Sequence, residues 1–185
     1  MRKMLMIASA AALLAPAAAY AQDGSSLPLG MEPYIGLMAG YHDFDSDNRG
    51  PLTRNCNGAS GCVDGAVIEA VGGVNVPVGP VFVGVEGNWA RGFSGIDWEY
   101  GVYGRFGARA GKSGLIYVKG GRQWIDPDGP GNKDDDWSYG MGVEVGPQDI
   151  GLGGLTRASG VRLRLEASTY DFQSIRPTAG IIYHF

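Results

Sequence analysis

From residue 22 onward, apolar side chains occupy every second position in stretch after stretch, and they never run together long enough to make a membrane-spanning helix. In PYIGLMAGYHDF, Ile35, Leu37, Ala39 and Tyr41 share one phase, while Tyr34, Gly36, Met38, Gly40 and His42 share the other. A period of two is the strand period, in which alternate residues face opposite sides of a sheet. VIEAVGGVNV sets Ile68, Ala70, Val74 and Val76 against Glu69 and Asn75, and VFVGVEGNW sets Val81, Val83, Val85 and Trp89 against Gly84, Glu86 and Asn88. WEYGVYGRFGARA and LIYVKGGRQW oppose Tyr100, Val102, Phe106, Ile116 and Val118 to Tyr103, Arg105, Arg109, Tyr117, Lys119 and Gln123. YGMGVEV, VRLRLEASTY and the terminal TAGIIYHF complete eight strands, each with an oily and a polar face.

Alternation alone does not say which face points inward. A soluble barrel would bury its oily face; a barrel in a bilayer would turn it outward. Three features favour the second arrangement. Glycine, at 32 of 185 residues, far exceeds its usual share of about 7% and crowds the charged face at Gly36, Gly40, Gly84, Gly101, Gly140, Gly142 and Gly180. A narrow interior that also holds long charged side chains needs that space. All four tryptophans, Trp89, Trp98, Trp124 and Trp137, lie at strand ends in the oily phase, paired across polar loops as an aromatic girdle would be. The third feature is the C-terminus. Thr178, Gly180, Tyr183 and Phe185 fit a polar–glycine–aromatic–aromatic spacing, with Ala179, Ile181, Tyr183 and Phe185 on the oily face.

The other terminus supplies the address. Arg2 and Lys3, the apolar stretch Met4 to Leu14 and Ala19-Tyr20-Ala21 read as a signal peptide over 1–21, cleaved before Gln22 to leave one barrel domain over 22–185. Without Arg2 and Lys3 the chain has 13 basic residues against 19 acidic ones, a net charge of −6 that argues against nucleic-acid binding. Cys56 and Cys62, in RNCNGASGCVD, are expected to form a local disulfide in an exported chain, since the spacing does not suit zinc and neither histidine is near.

PVGP at 77–80, 110–114 and 146–159 are then periplasmic turns, while 43–64, 90–97, 125–136 and 171–176 are outer loops. Arg122 fits badly, being in the oily phase, although two residues from Trp124 it could snorkel to the interface. The acidic loop residues Asp126, Asp128, Asn132, Asp134, Asp135 and Asp136 offer oxygen ligands for calcium, but Pro130 and Gly131 break the EF-hand register and no closing glutamate follows. A solvated loop is expected, with no metal and no cofactor.

PYIGLMAGYHDF, YGMGVEV and the C-terminal segment resemble the eight-stranded outer-membrane barrel group, which includes opacity-type surface proteins and the transmembrane domain of outer-membrane protein A. The resemblance implies an all-β, eight-stranded antiparallel up-and-down transmembrane barrel in the outer membrane of a Gram-negative bacterium. It also implies that TAGIIYHF is read by the barrel-assembly machinery, and that lipopolysaccharide and outer-membrane lipids surround the protein. Unlike outer-membrane protein A, the chain is expected to end with the barrel, to act as a monomer and to meet any surface ligand through its outer loops.

Some barrels remodel lipid A with a histidine and a nearby serine or acid. Here His42 and His184 fall at opposite rims and no His-x-Ser motif is present. A site built on His42 with Asp43 or Asp45 and a loop serine is the catalytic alternative; the expected role is non-catalytic, with His42 in ordinary polar contacts. The inward phase is expected to set Glu69, Glu86, Glu144 and Glu166 against Arg105, Arg109, Lys119, Arg162 and Arg164 in a self-satisfying network that plugs the lumen. A small diffusion pore is the second alternative.

Overall fold

Alternating side chains settle a strand only when its two faces meet two different surroundings, and closing a sheet on itself provides both. The computed structural model describes residues 30–44, 65–93, 96–111, 113–127, 134–146, 160–172 and 174–185. Within them run β1 (Glu32–Phe44), β2 (Gly65–Val78), β3 (Val81–Gly92), β4 (Ile96–Ala110), β5 (Gly114–Pro127), β6 (Asp134–Val145), β7 (Val161–Tyr170) and β8 (Ser174–His184). Each pairs antiparallel with its neighbours in sequence, and β1 pairs with β8 to close the barrel. The closing seam aligns Tyr34 with His184 and Ala39 with Ala179, and the Phe185 N–H donates to the Pro33 carbonyl at 3.0 Å. Both ends of the described chain therefore lie at one end of the barrel, the terminus end; the opposite end is the loop end.

The oily phase faces outward on every strand. Leu37, Val85, Val102, Met141 and Ile181 are among the most exposed side chains of the molecule, at 57–66%. The charged phase faces the interior, where Glu86, Glu144 and Arg164 are buried. This is the polarity a bilayer selects.

Several connections are shorter than the sequence suggests. β3 reaches Gly92 and β4 begins at Ile96, so 90–97 is mostly strand; β5 and β6 take in Ile125 to Pro127 and Asp134 to Asp136 from the proposed loop 125–136. Ser174 and Arg176, assigned to a loop, belong to β8. Polar residues at these positions look like loop because strands extended beyond the apolar band no longer alternate against lipid. The β7–β8 turn is unusual in placing two non-glycine residues in the left-handed region, Asp171 at φ 46° and Phe172 at φ 56°. That conformation costs about 1–2 kcal/mol per residue. Phe172 recovers part of the cost by stacking on Tyr139, with ring centroids 5.0 Å apart.

A candidate functional site in the barrel interior

The interior polar groups form two linked clusters. Nearer the terminus end, the Glu86 carboxylate on β3 accepts hydrogen bonds from Tyr34 Oη at 2.8 Å, Lys119 Nζ at 3.0 Å and an Arg164 amino group at 2.6 Å. Arg105 lies 3.6 Å from the same carboxylate. Glu144 is directly opposite Arg164 across β6 and β7 and accepts from it at 2.8 Å, from Arg105 at 2.9 Å and lies 2.7 Å from His184 Nε2. Glu166 accepts from Tyr117 Oη at 2.6 Å and pairs with Lys119 at 2.7 Å. The Arg105 guanidinium also lies over the Tyr117 ring, 3.8 Å from its centroid. A cation between two carboxylates and an aromatic face loses much of its desolvation penalty.

Small residues opposite the aromatics make this packing fit. A Cβ on Gly142 would come 2.5 Å from Tyr117 Oη, and one on Gly101 would come 2.6 Å from Tyr103 Oη. The glycine-rich charged face therefore provides the space that the tyrosines cross.

The second cluster lies at the loop end. Glu69 accepts from Asn88 Nδ2 and from Arg176, both at 2.6 Å. Glu99 on β4 is held by His42 Nδ1 at 2.5 Å and Gln123 Nε2 at 3.2 Å, with Arg176 Nε 3.5 Å away. His42 Nε2 in turn lies 3.0 Å from Ser174 Oγ. Lys119, over the Tyr103 ring at 4.3 Å, links this cluster to the first.

Of the interior residues expected from sequence, Glu69, Glu86, Arg105, Lys119, Glu144, Arg164 and Glu166 are buried together. Arg109 is not: it lies at the terminus-end rim, partly exposed and paired with Glu32. Its phase is inward, but β4 leaves the barrel one residue later. Arg162 is also near this rim, 3.8 Å from Glu144. His42 is not in a rim environment, being fully buried between Glu99 and Ser174. Sequence reasoning missed Glu99, Arg176 and Ser174. Glu99 is in phase with Tyr103 and Arg105, so continuing the alternation backward by two steps would have found it; Arg176 and Ser174 were hidden by the loop assignment.

Outside, Trp89 and Trp98 stack directly, with centroids 4.6 Å apart. Trp124 and Trp137 do not pair with each other: Trp124 stacks on Tyr100 and Trp137 on Tyr139, because the register sets Trp124 opposite Asp135 and Trp137 opposite Arg122. That register also accounts for Arg122. Its guanidinium meets the Asp135 carboxylate at 2.6 and 2.9 Å, so it is neutralised on the outer face. At the C-terminus Thr178 is buried and Tyr183 faces outward, packed edge-on against Phe185; Gly180 lies where a Cβ would meet Met38. Cys56, Cys62, Asp128 and Asn132 lie outside the described residues, as does 1–29. Among the described residues no three metal-ligating side chains gather.

Outward oil, an interior of paired charges and closure by β1 on β8 define an integral outer-membrane β-barrel of a Gram-negative bacterium. Residues 7–183 match the family described as the outer membrane protein beta-barrel domain, and the chain belongs to that family. No curated protein matches the sequence. Similar solved structures include Neisserial surface protein A, at 12% identity and a TM-score of 0.44, covering 84% of this chain and 97% of that one. Ail, the attachment invasion locus protein of Yersinia pestis, matches at 16% identity and a TM-score of 0.40 over the same shares. The Ail backbone structure in a phospholipid bilayer nanodisc matches at 14% and 0.43, covering 82% of this chain and 99% of that one.

Proposed function

We propose that the protein is a structural, surface-interacting barrel whose interior is closed to diffusion by its own ion pairs. The observation that carries this reading is the Glu86–Arg105–Glu144–Arg164 group, in which all four side chains have no exposed surface. Eight strands leave room for little more than side chains, and these side chains bind one another across the lumen. The loop end faces the medium in this reading, so the connections there, with 45–64 the longest, are what a surface ligand or lipopolysaccharide meets.

Cells overproducing the protein at the outer membrane should take up a small hydrophilic β-lactam such as nitrocefin at the rate of cells carrying an empty vector. A several-fold rise in uptake would favour the diffusion-pore alternative.

A further inference from the structure

At the loop end, three side chains from three strands meet in a sequence of contacts that has a known chemical consequence. Glu99 on β4 lies 2.5 Å from His42 Nδ1 on β1, and His42 Nε2 lies 3.0 Å from Ser174 Oγ on β8. With Nδ1–H donating to the carboxylate, Nε2 is the acceptor and the serine hydroxyl donates to it. A serine, a base and an acid that orients the base, each within hydrogen-bond reach, are what an activated nucleophile requires. The geometry points to Ser174 as a nucleophile for acyl transfer, with His42 as its general base and Glu99 as the positioning residue.

Three further observations bear on the same place. The Tyr170 backbone N–H donates to Ser174 Oγ at 3.0 Å, which fixes the oxygen and leaves its own proton directed at His42. The turn that delivers Ser174 holds Asp171 and Phe172 in the left-handed region, and strain of this kind persists where the surrounding structure keeps it, most often at functional sites. Arg176, two residues along the same face of β8, is buried, and among the described residues its Nε makes no hydrogen bond, although it lies 3.5 Å from Glu99. A buried cation whose Nε is ion-paired but not hydrogen-bonded, on the strand face that carries the nucleophile, suits an oxyanion.

Position limits the substrate. His42, Glu99 and Ser174 all lie within four residues of the loop-end termini of their strands, while Gln123, Arg176 and Glu69 fill the lumen around them. Of His42, Glu99 and Ser174, the serine alone keeps any exposed surface, 5%, so the site is reached at Ser174 from the loop end and serves a small carboxylic ester, not a molecule crossing the barrel. Ser174 Oγ bonds to the ester carbonyl carbon as its proton passes to His42 Nε2; the carbon–alkoxide bond breaks and His42 returns that proton to the leaving alcohol. Water then attacks the acyl-serine, giving a proton to His42 that returns to Oγ as the carbon–Oγ bond breaks. The net reaction is ester plus water to acid plus alcohol, and it needs no cofactor. This proposal opposes the sequence expectation of a non-catalytic barrel and is independent of whether the lumen conducts.

The test is labelling of the folded, detergent-solubilised protein with a small alkyl fluorophosphonate, in which an Oγ–phosphorus bond forms and fluoride leaves. Mass spectrometry of the wild type should place the label on Ser174 and not on Ser138 or Ser168, and Ser174→Ala should abolish it. In His42→Gln, with folding verified by its unheated gel mobility, labelling should slow by about 100-fold or more, the usual range of a lost general base. Glu99→Gln should slow it less, with Glu99→Asp restoring part of the rate. An unlabelled wild type, or a label on Ser174 whose rate does not depend on a folded His42→Gln variant, would overturn the assignment; the wild-type result stands even if no variant folds.

Discussion

Replacing Glu86 with alanine is expected to destabilise the folded barrel by about 3–5 kcal/mol, the cost of removing one partner from a buried ion pair. Glu86 accepts from Tyr34, Lys119 and Arg164 and lies beside Arg105, so its loss leaves Arg105 and Arg164 to share a single carboxylate group, that of Glu144. Lys119 keeps Glu166, at 2.7 Å. The desolvation cost of Arg105 and Arg164 is then only half compensated. Urea unfolding in lipid vesicles, followed by tryptophan fluorescence, measures the difference. A loss below about 1 kcal/mol would mean that water reaches these groups and that the interior is not dry enough for the pairs to matter.

The second large effect is on the opposite face. Leu165, midway along β7, points outward between Val143 and Ala179. Leu165→Arg should cost about 2–4 kcal/mol in a bilayer, as charge on the lipid face does near the midplane. The same vesicle unfolding experiment reads it, and little or no loss would show that this face is not in contact with lipid.

These two substitutions address the first question that periodicity leaves open, because the sequence repeats identically whether the oily face is inside or outside. Phase was legible throughout: Glu86, Arg105, Glu144 and Arg164 lie on one face by counting alone. Depth was less legible. Arg109 shares the phase of Arg105, yet two pairs of residues further along β4 it has reached the rim, since the sequence shows only weakly where the strand leaves the barrel. Strand extension hid residues in the other direction. The polar start of β8 reads as loop, which hides Ser174 and Arg176, whereas Glu99 lies within the segment legible as a strand and is found only by extending its inward phase back from Tyr103; all three join His42 in the loop-end cluster.

Register was the other missing quantity. Trp124 and Trp137 flank one connection and suggest a pair, but the β5–β6 register places an aspartate and an arginine opposite them. A shift that alternation cannot reveal decides which side chains touch. It also turned Arg122, anomalous on the oily face, into the partner of Asp135. The cross-lumen bonds of Glu86 to Lys119 and Arg164 depend on the same kind of information, because barrel closure brings β3, β5 and β7 together across the interior.

Closure of the lumen by these bonds is the central claim, and single-channel recording in planar bilayers tests it most directly. The wild-type protein, inserted and verified as folded by its heat-dependent gel mobility, should leave the bilayer electrically silent, or pass no more than brief, small events. A steady, large unitary conductance would contradict the account, because Glu86, Arg105, Glu144 and Arg164 could not then be bonded across the path of the ions.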